Sequence, residues 1–109
     1  MKFRLLMMSA IVMFVASLPL RAADAAAGKE TYTRKCASCH GADGAGKDAI
    51  AKMMKVELRH LGSKEVQAKS DADLHKVIVD GGGKMKPVKD LDAKAVDDVV
   101  AFLRTLKQK

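Results

Sequence analysis

An all-α fold is the class this sequence predicts, and three observations predict it. Near the C-terminus Val96, Val99, Val100, Leu103 and Leu106 recur at helical spacing, with Phe102 bordering the stripe. A second stripe, Leu74, Val77 and Ile78, follows the helix-start pattern Ser70-Asp71-Ala72-Asp73 and stops at Gly81. No stretch alternates polar and apolar residues as a half-buried strand does, and the chain has no repeat or low-complexity tract.

Taken in order, the first segment reads as an address. Lys2 and Arg4 precede an apolar run from Leu5 to Leu18, and Ala23-Asp24-Ala25 supplies a small-x-small pattern. This is the order of a secretory signal, and the run falls short of the ~20 residues a membrane-spanning helix needs. Residues 1–25 are therefore expected to be a signal peptide, cut after Ala25 or alternatively after Ala22. Residues 26–109 are then one domain in the periplasm, with no stable membrane insertion.

Within that domain a first helix is expected over about 26–39, with Gly28 and Tyr32 on one face. Gly41 to Gly46 is turn-rich, and it lacks the preceding strand and the Lys-Ser/Thr ending of a phosphate loop. A short helix is expected over 48–54 and irregular chain over 56–62. The Ser70 helix follows, then Gly81-Gly82-Gly83 and Lys84-Met85-Lys86-Pro87, and finally a helix capped by Asp92. Because Gly28 has no side chain, the first and last helices are expected to cross there, with Tyr32 near Val99, Phe102 or Leu103.

The chemistry is concentrated in Cys36-Ala37-Ser38-Cys39-His40, which contains both cysteines of the chain. C-x-x-C-H is the attachment pattern of a c-type haem. On a helical turn residues i, i+3 and i+4 share one face, so two sulfurs and an imidazole meet one flat ligand. The thioethers tether the porphyrin and the imidazole supplies the proximal bond to iron. Two other readings use the same residues. A redox dithiol is expected beside a βαβ pattern, which is missing, and a zinc site would have to recruit His60 or His75.

Composition fits the haem reading. The 84 residues after the signal contain one Tyr, one Phe and no Trp, so a porphyrin would supply apolar bulk that the chain lacks. The formal charge of +7 falls to +5 once Lys2, Arg4, Arg21 and Asp24 are removed. Basic balance suits acidic partners, membranes or nucleic acid, and export argues against nucleic acid.

Gly28 and Tyr32 before the C-x-x-C-H-Gly41 motif, Asp43-Gly44 after it, a glycine-rich Met loop and a final apolar helix together resemble class I monohaem cytochromes c. The likeness runs through the whole exported chain and is greatest to small soluble bacterial members. It implies about four to five helices around one covalent haem c, with crossing terminal helices. It also implies His and Met axial ligands, and electron transfer without substrate chemistry, so no enzyme and no catalytic residue.

The cofactor-binding residues are accordingly Cys36, Cys39, His40 and Met85, with His40 proximal and Met85 distal on the iron. Met85 lies between two helices, far enough along the chain to reach the haem face opposite His40. Met53, Met54 and His60 are its rivals. Two features depart from the family pattern. Met85-Lys86-Pro87 is one residue longer than the usual Met-Pro pair, and Val56-Glu57-Leu58 stands where relatives carry Pro-Asp-Leu, so the acceptor that orients His40 is unassigned.

Lys84, Lys86 and Lys89 bracket the Met loop, which implies acidic docking surfaces on redox partners such as a reductase, an oxidase or another cytochrome. A monomer acting as a diffusible carrier is the expected form. The alternative is a module that binds or senses a small gas at an open or labile sixth position.

Overall fold

Six helical segments make up residues 23–108, the part of the chain described by this computed structural model. They are α1 (Ala25–Lys35), α2 (Ala37–His40), α3 (Asp48–Met54), α4 (Lys64–Gln67), α5 (Asp71–Asp80) and α6 (Ala93–Thr105). Among the described residues the β contact is a single isolated bridge, Gly82 to Met85. Residues 1–22, which hold most of the expected signal peptide, lie outside the described residues.

Caps explain where the helices begin. Ser70 Oγ accepts from the Asp73 amide at 3.1 Å, and Asp92 Oδ1 accepts from the Ala95 amide at 2.8 Å. Each satisfies an amide that a helix start leaves unpaired. Asp24 does the same for α1, accepting from the amides of Ala26 and Ala27 at 2.9 and 3.2 Å. Asp24 is thus part of the fold, two residues ahead of the expected domain start.

The sequence reading differs from the structure in two places. The single helix expected over 26–39 is stepped at Cys36 (φ −119°, ψ −35°). There one carbonyl, Cys36 O, accepts from both Cys39 and His40 amides, at 3.2 and 3.0 Å, and the turn tightens. The four-residue α4 was not expected; Ser63 caps it through Val66 N at 3.4 Å.

The core is made by Tyr32, Val66, Leu74, Ile78, Val96, Val99, Val100, Phe102 and Leu103. It forms where α1 and α5 pack on α6. Gly28 sets the spacing of α1 and α6, because a Cβ added to it would lie 1.8 Å from Asp98 O. Tyr32, one turn on, then stacks on Phe102 with ring centroids 5.0 Å apart and planes tilted by 54°.

Polar contacts close both ends of α6. The Asp98 carboxylate is buried; the Asp24 amide at 2.8 Å and the Lys94 ammonium at 2.9 Å hold it below the usual carboxylate range against the opposing effect of burial. At the other end Arg104 donates to Gln67 O, Lys69 O and Asp71 Oδ1 at 2.9, 2.7 and 2.7 Å. Gln67 Nε2 in turn donates to Leu61 O and Leu103 O at 2.9 and 3.0 Å. Beyond α6 the Gln108 amide donates to Gly62 O at 2.8 Å, so the chain end is tied to the 56–62 segment.

The Gly28 contact makes a signed prediction. An exposed helical Gly→Ala change gains about 1 kcal/mol from helix propensity, whereas forcing a methyl into backbone costs roughly 3 kcal/mol or more. Gly28→Ala in the haem-loaded protein should therefore lower unfolding free energy by about 2 kcal/mol or more. Chemical denaturation measures it, and an unchanged midpoint would contradict the helix crossing.

Candidate functional site

A cavity of about 760 Å³ brings four residues from two separate stretches of sequence together: Cys36, Cys39 and His40 from the α1–α2 step, and Met85 from the loop after α5. A second chamber of about 380 Å³ adjoins it and shares Cys36, His40, Glu57, Leu58, Gly82 and Met85. Apolar side chains, among them Leu61, Leu74, Val77, Ile78 and Leu103, line this inner part. Their volume and character suit a large, flat, mostly apolar group.

The C-x-x-C-H turn is held from both sides. Tyr32 Oη donates to Gly41 O at 2.6 Å, next to His40. The glycine-rich stretch folds back so that the Gly46 amide donates to His40 O at 2.7 Å and the Lys47 amide to Cys39 O at 3.0 Å. The carbonyls of Cys39 and His40 are thereby paired, and the side chains of Cys36, Cys39 and His40 are left for the cavity.

Protonation chemistry separates the competing readings. Burial, with Cys39 alongside, pushes the Cys36 thiol up to about 11. A working redox dithiol needs the opposite shift, toward thiolate. Zinc fares no better, since among the described residues no group of three His, Cys, Asp or Glu side chains is placed to hold a bare metal ion. His60 Nδ1 instead accepts from the Gly62 amide at 2.9 Å, and His75 Nδ1 lies 2.9 Å from Asp97.

Burial lowers the His40 imidazole below its ordinary value, which favours the neutral ring a metal requires. Its Nδ1 is buried with no hydrogen-bond partner among the described residues. The acceptor that the sequence left unassigned is thus not furnished by a nearby side chain or carbonyl.

Met85 is half-buried and lines both chambers. Its backbone is pinned by a reciprocal pair with Gly82: Met85 N–H to Gly82 O at 2.9 Å, and Gly82 N–H to Met85 O at 3.0 Å. Gly83 and Lys84 form the two-residue turn between them, with Gly83 at φ +55°. Gly81 (φ +77°) admits this turn, because a Cβ there would lie 2.6 Å from Met85 O. The extra residue between Met85 and Pro87 therefore does not leave the loop slack. The Val88 amide anchors its far side on Ile78 O at 2.9 Å.

The rivals divide. Met53 is 71% exposed and His60 lines neither chamber, whereas Met54 lines the larger one. The rim of that chamber is basic, with Lys35, Lys84, Lys86 and Lys89 against one carboxylate, Glu57. Of the lysines singled out from sequence, Lys84 is engaged: its Nζ donates to Met54 O at 2.6 Å.

Comparison with known proteins gives a family and a structural neighbour. The family model described as cytochrome C oxidase, cbb3-type, subunit III, matches residues 23–103. Among solved structures the KustC0563 c-type cytochrome is similar, with 28% identity over 74% of this chain and 98% of that one and a TM-score of 0.63. No curated protein matches the chain.

Tyr32 offers a pH test of the clamp on the C-x-x-C-H turn. Burial, aided by Cys36 and Asp43, pushes its phenol from 10.0 up to about 12. The neutral phenol favours the folded state, so this contribution is full below pH 10 and is lost as pH rises toward 12. Tyr32→Phe should cost about 1 kcal/mol at pH 7 and remove that part of the alkaline decline. Stability-versus-pH curves of the two proteins check this; parallel curves would contradict it.

Proposed function

This chain belongs to the cytochrome c family, and on that premise we propose that it is a periplasmic carrier of single electrons. Cytochrome c domains carry a covalently bound c-type haem, are typically exported, and generally carry electrons rather than act as enzymes. The haem supplies one-electron exchange between ferrous and ferric iron.

The finer assignments are ours. Cys36 and Cys39 hold the haem, His40 is the proximal ligand and Met85 the distal one. The observation that carries this reading is the convergence of Cys36, Cys39, His40 and Met85 on one apolar cavity. The cavity fits the group: its lining is apolar, its imidazole is buried toward the neutral form, and its cysteines are half-buried and unpaired. A thioether ligand supplied by Met85 would favour ferrous iron and raise the reduction potential. With Met85 as a ligand, the gas-binding alternative would have no open position and would require Met85 to leave the iron.

Export is supported by the order of charges, apolar run and small residues at the start of the chain. No helix among the described residues is long and apolar enough to cross a membrane. Because Asp24 caps α1, we place the cut ahead of it, at the Ala22 alternative.

The basic rim suits an acidic partner. Lys35, Lys86 and Lys89 surround the cavity mouth, a charge pattern that speeds encounter with an acidic redox partner and weakens as salt rises. A small, wet contact then allows quick release.

Two outcomes test the proposal. In the oxidised protein a weak red-edge absorption marks sulfur on iron; Met85→Ala should abolish it and let the reduced protein bind carbon monoxide at neutral pH. Persistence of the band in Met85→Ala would remove Met85 from the iron. Reversing Lys86 and Lys89 to Glu should slow transfer to an acidic partner and flatten its salt dependence, whereas an unchanged salt slope would rule out this docking face.

A further inference from the structure

The last carbonyls of a helix lack intrahelical partners and carry partial negative charge, so a cation placed there is stabilising. At the end of α3 the chain turns through Lys55 in the left-handed region (φ 54°), and the amides of Lys55 and Val56 use the carbonyls of Ala51 and Lys52. Met54 O is left to the Lys84 ammonium, thirty residues away in sequence. Lys84 is a corner of the turn that the Gly82–Met85 pair closes, and it directly precedes Met85. Both Met54 and Lys84 line the larger chamber. Among the described residues no backbone hydrogen bond joins α3 to this turn, and no carboxylate pairs with Lys84.

We propose that Lys84 is a positioning residue: by capping α3 at Met54 O it ties the wall formed by that helix to the Met85 turn and holds the turn closed against outside ligands. The inference rests on the reading of Met85 as distal ligand and deepens it. It also divides the rim lysines by task. Lys86 and Lys89 present free charge to a partner, while Lys84 spends its charge within the molecule. A charge-assisted bond from an exposed side chain is worth a modest amount, equivalent to about a fivefold change in the closed-to-open ratio of the turn.

The test uses haem-loaded protein, with imidazole as an external ligand for the ferric form and amide hydrogen exchange at Gly82 and Met85 as a measure of turn opening. Lys84→Met keeps the stem and removes the cap; it should bind imidazole about fivefold more tightly and exchange both amides about fivefold faster. Lys84→Arg, which can still donate, should restore both values toward wild type. Lys89→Met removes one rim charge without touching Met54 O and should change neither. Equal values for Lys84→Met and wild type, or the same gain in Lys89→Met, would overturn the proposal. Should Met85 prove not to be the ligand, the absorption band of Met85→Ala reveals it, and the exchange rates still decide whether the cap holds the turn.

Discussion

The approach of α1 to α6 at Gly28 governs how the rest of this small protein is arranged. With no Cβ at that position the Asp98 carbonyl comes into contact with the α1 backbone, and one turn later Tyr32 is carried into the core against Phe102. The phenol then reaches Gly41 O and fixes the end of the C-x-x-C-H turn. Helix packing, aromatic stacking and haem-site geometry thus form one mechanical sequence, in which an error at Gly28 is passed along to His40.

Such a sequence is needed because the protein's own core is small. Among the described residues nine buried apolar side chains, only two of them aromatic, have to order helices of at most thirteen residues and the loops between them. Long polar bonds compensate. Arg104 and Gln67 gather α4, the start of α5 and the end of α6, while Asp98 gathers Asp24 and Lys94 at the opposite end. Between these two stitched ends the apolar chambers stay available, and a porphyrin held there would serve as part of the core as well as the redox centre.

What could be read from the sequence follows from the range of each interaction. The caps at Ser70 and Asp92, the stripe of α6 and the C-x-x-C-H turn are written within a few consecutive residues, and the structure repeats them. Gly28 and Tyr32 were legible as a face because i and i+4 align on a helix, and the apolar stripe of α6 named their partner. The step at Cys36 was hidden because it depends on one carbonyl shared by two amides. Helix α4 was hidden because four residues display no period. The bond from Lys84 to Met54 O is not written in the sequence for a different reason: a backbone carbonyl is common to every residue, so no side-chain pattern marks it. The same holds for Arg104, whose acceptors lie more than thirty positions upstream.

Asp24 carries a practical consequence for making this protein. Its side chain caps α1 and its own amide satisfies the buried Asp98 carboxylate. A recombinant gene that fuses a foreign leader to this protein has to join it upstream of residue 24. A junction two codons later would strip the opening helix of its lid and leave the acidic group inside the bundle with Lys94 as its one remaining partner.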